Sequence, residues 1–228
     1  MEKCLRCFKF RGIRNDCRSQ REMDISRIVD IVKNRRLFCS DWRNQNDILE
    51  GTYLYNVHEE WLHAHIDENG NWLQSQKEMY RICSLSKRIN NSLMWAHYAS
   101  SHTGVAIELK LRQDSLFPVT YNPKLPRVNL EFLDADGDRS EIVKKLLLNK
   151  TACWKYESEV RLLVEGRNFY ELDGCESVVK VYCGARMNRE TFEELQERLV
   201  DIRIESISAK YPDKFGRRFD FVSRNYVR

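Results

Sequence analysis

The sequence lacks any uninterrupted apolar run near the roughly 20 residues that span a bilayer. Its opening residues, MEKCLRCFKF, contain no apolar signal segment either. Proline and glycine are scarce, at four and nine residues, and they are dispersed rather than gathered into a linker. No internal repeat is present. We therefore expect a cytoplasmic protein with no membrane partner, in which residues 1–228 form a single domain.

Motifs that identify common enzyme classes are also missing. The sequence has no P-loop, no Rossmann glycine fingerprint, no HExxH and no nucleophile elbow. Cys4-x-x-Cys7 is a weak zinc signal, because a structural site needs a second ligand pair at matching spacing. His63-x-His65 is weak too, because a two-residue offset suits a strand and the sequence around it looks helical. Eight cysteines in 228 residues are too sparse for a disulfide framework, so we interpret them as reduced thiols. No metal is expected.

The excess of positive charge lies at the C-terminus. The formal net charge is only +4, and residues 210–228 carry six Lys or Arg against Asp213 and Asp220. Aromatic side chains in the same segment favour a packed terminal strand with a solvated charged face over a surface for phosphate or an acidic partner. The segment alone does not indicate nucleic-acid binding.

Hydrophobic periodicity predicts an α+β fold, because strands and helices interleave without the regular alternation of a doubly wound sheet. The first predicted helix begins at Asp24, which is its predicted N-cap. The predicted helices cover residues 24–36, 92–99, 140–154 and 189–200. The predicted strands cover residues 8–12, 37–39, 79–86, 104–109, 117–121, 158–164, 178–183 and 202–209.

The most specific local pattern is Trp154-Lys-Tyr-Glu157-Ser-Glu159-Val-Arg161. If this segment is extended, Glu157, Glu159 and Arg161 share one strand face, with the carboxylates about 7 Å apart. Such a pair could bind a sugar hydroxyl, stabilise an oxocarbenium ion or divide acid and base roles. The alternative, which spacing alone favours, is a solvated face on which Arg161 neutralises the pair.

Two further segments carry polar groups at strand ends, where functional sites tend to form. Ser84 and Ser86 point to the same side of a strand, so their hydroxyls could position a ribose or a carboxylate. Arg11 lies on the short predicted strand Phe8-Lys-Phe-Arg11-Gly12, and a strand-borne Arg can fork onto phosphate or carboxylate, although an exposed Arg is the commoner outcome.

The helix between these segments offers aromatic and imidazole groups. Trp95 and Tyr98 are three residues apart and share a helix face, which is more typical of a core than of a stacking site. His97 is interpreted as a buried, hydrogen-bonded histidine, with a general base or a ligand contact as the alternative. His102 lies in the loop that follows.

The order of these motifs resembles a bacterial family known as domain of unknown function 2971. The strings that carry the likeness are FKFRGI, CSLS, SLMWAHYASSHTGVAIEL, WKYESEVRLL and VVKVYCGARM, across residues 8–209. Members often have Phe-Asn-Asp-Pro before an acidic residue. This chain retains Asn46, Asp47 and Glu50 but has no proline there.

A more distant resemblance is to the ADP-ribosyltransferases, especially DarT-type DNA-modifying toxins. Arg11, the Ser84 to Ser86 pair and Glu159 follow the order of their Arg, Ser-x-Ser and Glu-x-Glu motifs. The resemblance implies a split sheet with NAD⁺ as substrate and Arg11 at the phosphates or the nicotinamide ribose. Glu159 would stabilise the oxocarbenium-like transition state and Glu157 would deprotonate the acceptor.

The resemblance also implies a set of contacts to the bound nucleotide, made by Ser84, Ser86, Trp95, His97, Tyr98 and Arg161. Three functions then remain. The first is an NAD⁺-consuming transferase or glycohydrolase, a toxin or phage-defence effector with a nucleic-acid or protein acceptor. The second is a non-catalytic module that senses a nucleotide or binds a protein. The third is a phosphodiesterase or nuclease that uses His97 and His102.

Overall fold

The computed structural model describes residues 3–14, 16–55, 63–129, 139–209 and 221–224. The α-helices in these ranges are α1 (Arg18–Lys33), α2 (His63–Met79), α3 (Ser92–Tyr98), α4 (Arg139–Leu147) and α5 (Arg189–Arg198). The strands are β1 (Cys4–Arg11), β2 (Arg36–Phe38), β3 (Leu54–Tyr55), β4 (Tyr80–Ser86), β5 (Val105–Arg112), β6 (Phe117–Pro118), β7 (Thr120–Asn122), β8 (Arg127–Val128), β9 (Asn149–Thr151), β10 (Glu159–Glu165), β11 (Phe169–Glu171), β12 (Ser177–Cys183), β13 (Ile204–Ala209) and β14 (Phe221–Arg224). Among the described residues, no helix has both the length and the apolar character needed to cross a bilayer.

Eight of the strands form one mixed sheet, in the order β14-β13-β12-β5-β1-β4-β10-β6. Neighbouring strands are antiparallel, apart from β12 and β13, which are parallel. Helices cover the sheet on both faces. The predicted α+β class is therefore confirmed.

The core is built around β5, whose side chains alternate between two apolar layers. On one face Ile107 packs with Ile25 and Ile28 of α1, all fully buried. On the other face Ala106 packs with Trp95 of α3. A third apolar cluster joins α2 and α4 to β4, and its buried members are Leu73, Ile82, Val128, Val143, Leu146 and Leu147.

The sheet is split between β1 and β4. β1 pairs with β5 along its whole length, and β4 pairs with β10 in the same way. Between β1 and β4, both fully described, the register has a single position, Phe8 opposite Ser86. Strands that lose their ladder of hydrogen bonds are free to move apart. A side chain satisfies part of the opened edge, since the Lys9 ammonium donates to the Ser84 carbonyl at 2.9 Å.

Several predicted elements differ from the structure. Asp24 lies inside α1 rather than at its cap, which is Cys17, and its carboxylate accepts from Arg14. The predicted helix over residues 140–154 ends at Leu147, since β9 pairs in parallel with β7 and a 3-10 helix, Ala152–Glu157, follows. Tertiary pairing overrides helical periodicity there. The sequence around His63 and His65 looks helical, and α2 begins there, although its extent to Met79 was not predicted.

We expect Gly104→Ala to destabilise the protein by about 1–3 kcal/mol, because overpacking forces the backbone to move. A Cβ atom at Gly104 would lie 2.1 Å from the carbonyl oxygen of Arg11. Gly70→Ala in α2 is the matched control, because its Cβ would meet nothing closer than the Tyr53 hydroxyl at 3.9 Å. Urea denaturation should show lower stability for the first variant and an unchanged or raised value for the second. Equal effects would contradict the close approach at Gly104.

Candidate functional site

A cleft of about 400 Å³ opens where β1 and β4 part. The split sheet supplies its walls, and α1, α3 and the 3-10 helix before β10 supply its ends. Most of the residues that the sequence singled out line it together: Arg11, Ser84, Ser86, His97, Tyr98, Glu157 and Glu159. Residues from three distant parts of the chain therefore meet at one place.

One end of the cleft holds two carboxylates joined by a lysine. The Lys150 ammonium lies 2.6 Å from Oε2 of Glu157 and 3.2 Å from Oε2 of Glu159. All three side chains are at most 5% exposed. Tyr98 donates its hydroxyl hydrogen to Oε1 of Glu157. This end is therefore a cluster of charged side chains that are largely excluded from solvent and that hydrogen-bond to one another.

The two carboxylates do not share a strand face as predicted. Glu157 ends the 3-10 helix, Ser158 has a left-handed backbone with φ of 47°, and β10 begins only at Glu159. Glu159 and Arg161 do follow strand alternation and share a face. Lys150, which brings Glu157 to Glu159, was missed because it fell inside a predicted helix. Asn149, a common residue just past a helix end, is the signal that could have ended that helix sooner.

The sequence predicts that Arg161 contacts the nucleotide, and the structure places its side chain in a buried ion-pair network. Its side chain is 0% exposed and lies behind Glu159, away from the cleft surface. Its Nε donates to Oε1 of Glu159 at 2.8 Å, and its terminal nitrogens donate to the Glu50 carboxylate at 2.5 and 3.0 Å. A further bond reaches the Leu147 carbonyl. Arg161 therefore fixes Glu159 instead of binding a ligand.

The pKa values of the two carboxylates are shifted in opposite directions. Burial raises the pKa of Glu159, but the positive charges of Arg161 and Lys150 outweigh it and bring the pKa down to about 2. Burial raises the pKa of Glu157, and Lys150 and Tyr98 offset this only in part. Glu159 is therefore a fixed negative charge, and Glu157 is the carboxylate closer to taking up a proton.

A second part of the cleft lining, around Asp24, is basic. Its basic side chains are Lys9, Arg11, Arg14 and Arg27. Burial lowers the pKa of Lys9. Asp24 accepts from Arg14 at 2.9 Å and lies 3.4 Å from Arg27. The Nε of Arg11 is buried and has no hydrogen-bond partner among the described residues. A buried donor without a partner is costly, so this end is suited to an anionic ligand.

The two serines occupy different positions. Ser84 lies opposite Arg161 across the β4 and β10 ladder, and its hydroxyl donates to the Gln45 side chain at 3.0 Å. Ser86 lies opposite Glu159 and is 1% exposed. Its hydroxyl donates to the Glu157 carbonyl at 2.6 Å. Ser86 thus fixes the turn that carries Glu157, while Ser84 remains at the cleft wall.

The α3 side chains divide between core and cleft. Trp95 is fully buried, its indole N–H donates to the Ile89 carbonyl, and it packs edge-on against Phe10. Trp95 therefore belongs to the core, as its shared helix face with Tyr98 favours. His97 was expected to be buried but is exposed at the cleft rim, with its ring centroid 6.2 Å from that of Tyr156. Tyr98, one residue on, reaches the acidic end.

The remaining sequence signals lie elsewhere. Cys4 and Cys7 are three residues apart on β1 and so point to opposite faces. The Cys4 thiol lies 2.7 Å from the Cys175 thiol, and Cys7 is in the core. The side chains of His63 and His65 and most of the basic segment 210–228 lie outside the described residues, although β14 does form a strand pairing with β13.

Comparisons with protein-family models, curated proteins and solved structures give no match. The resemblances drawn from the sequence therefore stay predictions.

Arg161→Met is expected to lower stability by about 3–5 kcal/mol, because it leaves Glu50 and Glu159 buried without their shared cation. Arg189→Met is the matched control, since the Arg189 side chain is 90% exposed and its pair with Glu193 lies in water. That change should cost less than about 1 kcal/mol. Urea unfolding of both variants measures the difference. Two small losses would show that the buried network contributes little.

Proposed function

We propose that the chain is an ADP-ribosyltransferase-like enzyme that cleaves the bond between nicotinamide and ribose in NAD⁺. The observation that carries this proposal is the polarity of the cleft. One part of the cleft lining is basic and has a guanidinium N–H without a partner among the described residues, and another part is acidic and holds a buried, ionised carboxylate. A dinucleotide whose phosphates are anionic, and whose nicotinamide ring is cationic and joined to a ribose that gains positive charge as the bond breaks, matches both.

The basic end supports binding of the pyrophosphate. Guanidinium groups pair with phosphate oxygens through forked, charge-assisted hydrogen bonds. The Nε–H of Arg11 has no hydrogen-bond partner among the described residues, and Lys9 lies beside Arg11 on the same cleft wall. Arg14 and Arg27 share the single carboxylate of Asp24, so this end keeps an excess of positive charge.

The acidic end supports the chemical step. As the bond from ribose C1′ to the nicotinamide nitrogen breaks, its electron pair leaves with nicotinamide and positive charge develops on the ribose. Glu159 supplies a fixed negative charge there, and such charge acts most strongly where water is excluded. The acceptor then attacks C1′, and its proton passes to Glu157. With water as the acceptor, the same steps make the enzyme a glycohydrolase.

The split of the sheet is consistent with the fold that the resemblance implies, in which NAD⁺ lies across the division. Membership in the family of domain of unknown function 2971 and a role as a toxin or phage-defence effector belong to the same proposal. The acceptor is a nucleic acid, a protein or water. Arg11, Ser84, Tyr98, Glu157 and Glu159 are the residues of this cleft that we assign to substrate.

The ion pairs of Glu159 favour one second candidate, a module that binds a nucleotide without turning it over. Both oxygens of this carboxylate already contact cations, because Arg161 donates to both of them and Lys150 donates to Oε2. Pairing weakens the field that the carboxylate offers to a substrate cation. The two candidates differ in one measurable respect, the release of nicotinamide.

Glu159→Gln is expected to reduce nicotinamide release from NAD⁺ by about a hundredfold or more, because it removes the fixed charge at the ribose. The assay follows free nicotinamide in the presence of DNA, RNA and cell lysate. Glu165→Gln, at the exposed far end of β10, is the control and should leave the rate unchanged. Saturable NAD⁺ binding with no release in the native protein would favour the binding module. Full activity in Glu159→Gln would rule out this role for the carboxylate.

Arg11→Ala is expected to weaken binding of NAD⁺ and of ADP-ribose about ten- to a hundredfold, as for the loss of a charge-assisted hydrogen bond. Binding of nicotinamide riboside, which has no phosphate, should change little. Isothermal titration calorimetry with the three ligands tests this, and Arg167→Ala, an exposed arginine in the turn after β10, is the control. An equal loss for all three ligands would show that Arg11 does not read the phosphates.

A further inference from the structure

The feature that neither the sequence motifs nor the proposed reaction explains is Lys150. This residue is the middle of β9 and lies opposite Tyr121 of β7 in the parallel pair. Its ammonium donates to Glu157 and to Glu159, and it lies 4.9 Å from the centroid of the Trp154 ring. Its side chain is 5% exposed, so these groups replace nearly all of its hydration.

Lys150 determines how the two carboxylates are placed. The left-handed residue Ser158 interrupts the backbone between them, so strand alternation does not set their separation. Each carboxylate also has its own fixed partner on the far side, Tyr98 for Glu157 and Arg161 for Glu159. The ammonium is the group that both carboxylates share.

The charge balance of the cluster depends on the same residue. The titratable and charged groups that face it from every neighbouring element are Glu157, Glu159, Arg161, Glu50, Tyr98 and Tyr121. With Lys150 present, the three carboxylates of Glu50, Glu157 and Glu159 are paired with two cations, Lys150 and Arg161. Without it, three carboxylates meet Arg161 alone. Buried carboxylates that share a site cannot all ionise, so one of them would take up a proton.

We propose that Lys150 is a positioning residue for the reaction, which holds Glu157 and Glu159 at a fixed separation and keeps Glu159 ionised while Glu157 exchanges the acceptor's proton. This inference rests on the proposed cleavage of NAD⁺. The ammonium keeps its own three hydrogens throughout. The acceptor's proton moves to the Glu157 carboxylate and from there to water, so no other group changes its charge.

Lys150→Met tests the inference through the pH profile of kcat/KM. An opposite charge at this distance lowers a carboxylate pKa by about one to three pH units, so its loss should move the acid limb up by a similar amount. The rate at neutral pH should fall at least tenfold. Lys150→Arg, which restores the charge, should recover most of the native profile.

Lys77→Met is the matched control. Lys77 is another buried lysine, 2% exposed, which lies over the Trp42 ring and donates to the Gly51 carbonyl away from the cleft. This variant should lose stability and keep the native pH profile. An unchanged profile in Lys150→Met, or an equal shift in Lys77→Met, would overturn the inference and leave the proposed NAD⁺ chemistry standing.

A second measurement does not depend on turnover. Infrared difference spectroscopy of the carboxyl stretch should show a protonated carboxyl group in Lys150→Met at neutral pH that is absent from the native protein and from Lys150→Arg. The band should weaken in the double variant with Glu159→Gln. If the native protein releases no nicotinamide but the band appears, Lys150 sets the charge of the pair and the proposed reaction is wrong. If no band appears, the inference about Lys150 is wrong.

Discussion

A chain of buried ion pairs is the constraint on which the site depends. It runs from Glu50 through Arg161, Glu159 and Lys150 to Glu157, and each side chain is at most 5% exposed. Removing an ion from water costs several kcal/mol, and only complete pairing offsets that cost. The loop that carries Glu50, the short β9, the 3-10 helix and β10 must therefore occupy their positions together. A shift of one of them leaves a charge buried without its partner.

The split sheet turns this cluster into a site. A continuous sheet would place ladder hydrogen bonds between β1 and β4, with no room for a ligand. Because these strands meet only at Phe8 and Ser86 among the described residues, Lys9 and Arg11 face the gap from one half of the sheet and Ser84 from the other. Groups on rigid strands keep their geometry better than groups on loops. The polarity of the cleft is thus built into two halves of the fold.

Local periodicity was enough to predict the elements that carry most of the cleft. The strand with Ser84 and the helix with Tyr98 follow apolar patterns that the structure reproduces within a residue or two. The sequence did not predict the site correctly where one residue interrupts the strand pattern, or where two residues that form an ion pair are far apart in the sequence. The left-handed residue Ser158 separates Glu157 from the strand that begins at Glu159. Arg161 pairs with Glu50, which is 111 residues away in the sequence. Spacing correctly indicated that Arg161 neutralises Glu159, but the expected solvated face is a buried cluster.

The imbalance of charge in the cluster argues for a role beyond stability. Buried ion pairs are weak evidence for stability, because apolar side chains of similar volume often serve as well. A network kept for structure alone would also balance its charges, whereas here three carboxylates face two cations. The excess negative charge is costly in a solvent-excluded environment unless a proton or a cationic group offsets it. Glu157 is where this can happen, since it borders the cleft and burial has already raised its pKa. The cluster is therefore balanced only when something enters the cleft or a proton binds, which is the behaviour expected of a working site rather than of a buried support.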